Sequence, residues 1–290
     1  MFVFNTLNDY KKAVLMVILS GVFLSTLGIG TRLLESTSGL QLVFYRSMGL
    51  LAIIMPVIIA RQSTNLVSSF FAMGKIGVMA AICLVGTSIF VVLAITNTSV
   101  ANAMFIISLA PLLAGGFAWL IIGEKMSSTT IKAIALALIG VLIIIQGALS
   151  TDGLSGIIYA FCMLTCYGLF SVTLRIGKDL DMLPCVALHA IILIVVLALY
   201  LPSLTISTSD LLICLVLGIF QIGLGLILLT LGSIQVPAAQ LTLLAMLEVV
   251  LSPIWVWLGV GEAPTESALL GGAIIICAII YQALTPSTNT

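Results

Sequence analysis

Charge is what this chain has least of. Only 7% of its 290 residues are Asp, Glu, Lys or Arg, ten acids against ten bases, where a soluble domain carries roughly a quarter. So few charges cannot make a water-facing surface, so lipid must be the solvent for most of this one. No basic patch exists, which excludes nucleic acid as a partner. Histidine occurs once, as His189, and no Asp, His, Ser or Cys cluster of the kind an intramembrane enzyme needs accompanies it. A G-x-x-x-x-G-K-[ST] loop is absent, so ATP is not the expected direct energy source. Rings of charge and Gly-rich filter loops, the marks of an ion or water channel, are missing as well. Cys162 and Cys166 stand at i, i+4, but without a further Cys/His cluster the six cysteines read as small buried hydrophobes and predict neither a metal nor a cofactor.

What is present is apolar length. Runs of about 20 apolar residues, enough for a helix to cross the hydrocarbon, recur over 13–33, 39–60, 76–96, 99–122, 130–149, 154–176, 184–204, 210–231, 236–259 and 267–284. The connections are short and carry the Gly, Ser, Pro and charge of turns. The first run follows Lys11-Lys12, outlasts a signal-peptide core, ends in Thr31-Arg32 and shows no small-x-small cleavage site, which predicts an uncleaved helix. With a cytoplasmic N-terminus, the inner segments hold Lys11, Lys12, Arg61, Lys75, Lys125, Lys132, Arg175 and Lys178, against Arg32 alone outside. That bias predicts an inner-membrane protein with both termini cytoplasmic.

The chain also repeats itself. Gly123-Glu124 and Gly261-Glu262 each close an apolar run, and a shift of 138 residues lays one on the other. In that register Trp119-Leu120 falls on Trp257-Leu258, Ala101 on Ala239, Leu109 on Leu247, and Asn102 on Gln240. Outside that register, Arg32 and Arg175 each lie near the end of the first helix of a half. Five helices per half is an odd number, so the second half must enter from the opposite side. The charges agree: the turn after Glu124 contains Lys125, and the turn after Glu262 contains Glu266 and no base. The expectation is an all-α membrane protein of ten transmembrane helices in two inverted five-helix repeats, 1–150 and 151–290. That is a common plan for secondary transporters.

These segments resemble a family. The stretch Val100–Gly147, with Leu109-Ala110-Pro111, Trp119 and Gly123-Glu124, is similar to the EamA-type half of the drug/metabolite transporter superfamily. Leu229–Tyr281 repeats it with Val236-Pro237-Ala238-Ala239, Leu247-Glu248, Trp257 and Gly261-Glu262, and Phe44-Tyr45-Arg46 resembles the family's aromatic-Arg motif. The proline that usually follows the Leu-Glu pair is replaced by Val249, and Pro253 comes four residues later. The resemblance implies carriage of small organic metabolites such as amino acids, often outward, without ATP; uptake is the alternative, because orientation does not set the direction of flux.

Few polar side chains lie at membrane depth. Glu248 is the one acid near the middle of the ninth run and shares a helical face with Leu241, Ala245, Ser252 and Trp255. It reads either as a buried structural acid or as a contact for a substrate amine or a coupling proton; a charge at the bilayer centre costs roughly 2.5–3.5 kcal/mol and is rarely idle. Arg46 lies about 10 Å into the second run, by helical rise, and is expected to bind a carboxylate, pair with a buried acid, or snorkel outward. His189 reads as an interfacial residue near the cytoplasmic end of the seventh run, with a proton relay as the alternative. Asn102 and Gln240 suit paired gates or helix–helix hydrogen bonds. Gly218, Gln221 and Gly225 make one small face of the eighth helix with a single amide, and Tyr167 is a weaker candidate on the sixth. Pro111 and Pro253 predict kinks, and Trp119 and Trp257 predict interfacial anchors.

Overall fold

In lipid every backbone N–H and C=O must be satisfied within the protein, and long runs of Leu, Ile, Val and Ala meet that demand as helices. The structure, a computed structural model, describes residues 6–35, 37–61, 66–97, 106–145, 154–261 and 266–284, and every regular element among them is helical. Seven stretches are long and apolar enough to cross a membrane: Asp9–Arg32, Gly39–Arg61, Gly74–Ala94, Ser155–Ile176, Leu183–Tyr200, Thr208–Gly232 and Ala238–Val260. Three shorter apolar helices, Ala110–Ile122, Ser128–Ile143 and Leu269–Leu284, overlap the other expected spans.

Several expected continuous spans are interrupted. The first is two helices, α1 (Thr6–Leu24) and α2 (Leu27–Arg32). Between them the hydroxyls of Ser25 and Thr26 donate back to Val22 O at 2.5 Å and Phe23 O at 2.8 Å, the back-bonding that bends helices without a proline. The second span is α3 (Gly39–Arg61), followed by the short α4 (Leu66–Ala72), α5 (Gly74–Asn97), α6 (Ala110–Ile122) and α7 (Ser128–Ile145). Pro111 stands at the start of α6, after a turn at Ser108 and Leu109, so it opens a helix instead of kinking one. The second half contributes α8 (Leu154–Ile176) and α9 (Leu183–Tyr200). Its eighth span is α10 (Thr208–Val216), a π-helical stretch Leu217–Leu224, and α11 (Gly225–Gly232). The ninth is α12 (Ala238–Ala245) and α13 (Leu247–Val260), followed by α14 (Glu266–Leu284).

The kink expected at Pro253 is therefore at Met246 instead. The Met246 N–H is shared between Thr242 O (3.2 Å) and Leu243 O (3.1 Å), and Val249 N–H closes back on Met246 O at 3.0 Å. Such tightened turns reset a helix axis. Met246 lies 138 residues after Ser108, so the breaks before α6 and α13 share the register found in the sequence. Both helices also end on glycine in the left-handed region, Gly123 at φ 69° and Gly261 at φ 77°, a conformation that costs other residues dearly.

The two halves interlock. The most extensive packing joins α5 to α8, α7 to α14, α3 to α9, and α1 to α11, each pair drawing one member from each half. Small residues permit it, since van der Waals contact rather than the hydrophobic effect holds helices together in lipid. A Cβ added to Gly218 would stand 2.3 Å from Arg46 O and 2.7 Å from Gly49 Cα, and one added to Gly140 would stand 2.6 Å from Gly271 O. Fully buried Phe170, Leu50, Ile54 and Leu164 fill the interior, while Leu15, Ile59, Ile82, Leu142, Val195 and Leu270 point outward. Trp119 and Trp257 are also exposed, near the ends of α6 and α13.

The α3 crossing gives a direct test. Gly218→Ala forces backbones apart and is expected to cost about 1–3 kcal/mol, read as a lower melting temperature in detergent. Gly116→Ala, whose Cβ would meet nothing within 4 Å, should leave the melt unchanged.

Candidate functional site

A helix that stops inside the hydrocarbon leaves carbonyls without partners. At the end of α1 the Leu24 carbonyl accepts the Gln221 side-chain amide at 3.3 Å. Gln221 is buried in the π-helical stretch, and its other end accepts from Arg46 Nη1 at 3.3 Å. One amide therefore links α3 to the break in α1. Gln221 makes both contacts from within this π-helical stretch, the kind of irregularity that recurs at functional sites. Arg46 is only 4% exposed, so its guanidinium is turned into the bundle and does not snorkel to the surface. His189 and Cys214 lie within electrostatic reach of it.

The second break presents Glu248. The acid sits in the first turn of α13, where the helix N-terminus favours negative charge. Tyr167 on α8 lies within electrostatic reach of it. Farther along α13, Trp255 Nε1 donates to Ser25 Oγ at 2.7 Å. Ser252 fits against Gly28, where an added Cβ would stand 2.2 Å from its Oγ. The α13 face carrying Ser252 and Trp255 thus lies against the broken first span. Gly21 completes the contact, its missing Cβ leaving 3.2 Å to Leu247 Cβ.

Of the residues singled out from the sequence, Arg46 meets Gln221 by a hydrogen bond, and Glu248 with Tyr167 and Arg46 with His189 lie within electrostatic reach of each other. Gln240 belongs elsewhere; its Nε2 donates to Tyr10 Oη. Asn102 and Glu262 lie outside the described residues. His189 is wholly buried, on α9 where it packs against α3 and α5, and its Nε2 meets Ser88 Oγ on α5 at 2.9 Å.

Two polar clasps escaped the sequence reading. Asp210, fully buried, accepts Glu35 N–H at 3.1 Å and the Thr37 hydroxyl at 2.7 Å, tying the start of α10 to the connection between α2 and α3. Tyr45 donates to Leu204 O in the opposite sense, from α3 to the connection before α10. At the other end of the bundle Arg175 Nε pairs with Glu124 Oε2 at 2.8 Å, and its Nη1 donates to Ile234 O at 3.3 Å. The Ser207-x-x-Asp210 spacing was a readable signal: Ser207 Oγ caps α10 by accepting Asp210 N–H. A cavity of about 440 Å³ also opens between Arg61, Lys178, Asp181 and Thr230, but neither Arg46 nor Glu248 lines it.

The pattern of breaks and repeats has a match. The sequence fits the EamA-like transporter family over residues 11–146 and again over 154–283. The chain belongs to that family. The two matches fall on the two halves that interlock, and family membership makes the chain a transporter-like membrane protein. A solved structure, described only as the crystal structure of a protein, superposes at a TM-score of 0.80 and 20% identity, over 94% of this chain and 97% of that one. That likeness speaks for the fold alone. No curated protein matches the sequence.

Within this EamA-type bundle Gln221 is the piece whose loss is easiest to read. Gln221→Leu leaves the Leu24 carbonyl and an Arg46 N–H without partners, at about 1–3 kcal/mol for each buried group. A melting temperature several degrees below that of the parent protein is the expected result; an unchanged melt would mean the bridge contributes nothing.

Proposed function

We propose that this EamA-family chain is a secondary-active transporter of the inner membrane that exports a small organic metabolite, such as an amino acid, by alternating access. The carrying observation is that buried Arg46 and half-buried Glu248 each stand at a broken span, Arg46 through Gln221 at the end of α1 and Glu248 in the first turn of α13. Discontinuous helices with polar groups at the breaks are how transporters hold cargo at the midplane. Outward carriage is what the family resemblance implies.

In this reading the three shorter apolar helices complete ten crossings, with residues 1–150 and 151–290 as inverted repeats. The exchange of packing partners supports it: the third span of the first half packs on the first of the second, and α1 packs on the third span of the second. The basic residues then place both termini in the cytoplasm. Cysteines introduced at Lys125 and Glu266, both exposed, should react with a membrane-impermeant maleimide from opposite sides. Labelling of both from one side would end the inverted-repeat account.

Glu248 is the residue we assign to coupling, as a proton carrier. In proteoliposomes, Glu248→Gln is expected to lower flux driven by a pH gradient by about tenfold or more, the scale of one lost charge-assisted hydrogen bond. Exchange of the same cargo across the membrane without a gradient should persist. Equal losses in both modes would argue that Glu248 is structural.

A further inference from the structure

Two ion pairs appear among the described residues, and Arg46 belongs to neither. Glu124 pairs with Arg175 and Asp9 with Lys12. Asp210 is engaged by Glu35 N–H and Thr37. Among the described residues no carboxylate oxygen comes within 4.0 Å of the Arg46 guanidinium, Glu248 included. Guanidinium carries five N–H donors and stays charged at any pH a cell reaches, and among the described residues it has one protein acceptor, Gln221 Oε1.

The choice of that acceptor matters. A carboxylate at the same place would close the charge; an amide orients the fork and leaves the charge open. Gln221 is itself fixed, because its other end is spent on Leu24 O. Leu215 O and the Gly218 backbone crowd Gly49, three residues along α3 from Arg46, so the helix that carries the guanidinium is pinned against the one that carries its acceptor. His189 is engaged with Ser88. A permanent cation held in place, buried, and met among the described residues by a dipole but no anion is unfavourable unless something else neutralises it.

We infer that Arg46 is an anion-binding site for the cargo. The transported molecule carries a carboxylate or phosphate oxyanion that docks on the guanidinium N–H groups not used by Gln221, with the two-point geometry arginine favours. Molecules without such a group are not carried. This rests on the transport reading above and narrows it to a chemical class.

The test uses the purified full-length protein in liposomes loaded with a deproteinised cell extract, with released species identified by mass spectrometry against protein-free liposomes. Every protein-dependent species is expected to bear a carboxylate or phosphate, and the identities show which. Arg46→Gln should cut their release on the order of 10- to 100-fold. Arg46→Lys, which keeps the charge but loses the fork, should keep the anionic selectivity and raise the half-saturating concentration. Size-exclusion profiles and melting temperatures of both variants separate lost binding from lost fold; if Arg46→Gln does not fold, the wild-type cargo spectrum and the Lys variant still decide. Release of neutral or cationic species lacking an oxyanion at comparable rates would overturn the inference, as would undiminished anion release from folded Arg46→Gln. No protein-dependent release of any species would remove the transport reading itself.

Discussion

A carbonyl released inside hydrocarbon has nowhere to turn but to another part of the protein, and that constraint organises the centre of this molecule. The first span stops at Leu24 without a proline, and the freed carbonyl is taken by Gln221 from a span 197 residues away in sequence. The eighth span widens into a π-helix over Leu217–Leu224, where Gln221 lies. The two irregularities therefore meet at one side chain. The same amide then fixes Arg46, so the backbone defect and the buried charge are held by a single side chain.

Packing explains why such a centre survives. Apolar contact gains nothing over lipid, so helices must approach closely enough for dispersion to count. Gly49 on Gly218, Gly140 beside Gly271 and Gly28 beneath Ser252 bring backbones together where a methyl group would not fit. These crossings have few interdigitated side chains to pull apart. The polar clasps, by contrast, lie at the two ends of the bundle, Asp210 at one and Arg175 with Glu124 at the other. A bundle smooth in the middle and tied at its ends has the build that rocking between two arrangements requires.

Much of this was legible in the chain, for reasons of scale. Seven of the expected spans reappear as helices of membrane-crossing length, since apolar length in lipid leaves the backbone no alternative. The Gly-Glu repeat at 123 and 261 was visible as sequence and reappears as two left-handed glycine caps. Arg46 and Gln221 were visible because polar residues are so rare among apolar ones. The breaks were not. Ser25 and Thr26 back-bond in many continuous helices, and here the bend persists because Gln221 and Trp255 hold its two sides. Met246 carries no mark at all, and Pro253 and Pro111 pointed to kinks where the chain has a running helix and a helix start. Asp210 was passed over because its partners, Glu35 and Thr37, lie 175 and 173 residues away, a distance no local pattern spans.

Arg46 and Glu248 are handled differently, and the difference follows from their chemistry. A carboxyl group can shed its charge by taking a proton, so Glu248 can stand half-buried at the start of α13 with Tyr167 in electrostatic reach and, among the described residues, no cation paired to it. Guanidinium has no such escape. Its charge must be answered by geometry, either with an acid built into the protein or with one that arrives. The protein builds acids into its ends, where Glu124 and Asp210 close polar contacts that bind one element to another. At Arg46 it builds an amide. An acid there would make the centre as self-sufficient as the ends, and a self-sufficient centre has no electrostatic reason to take anything in.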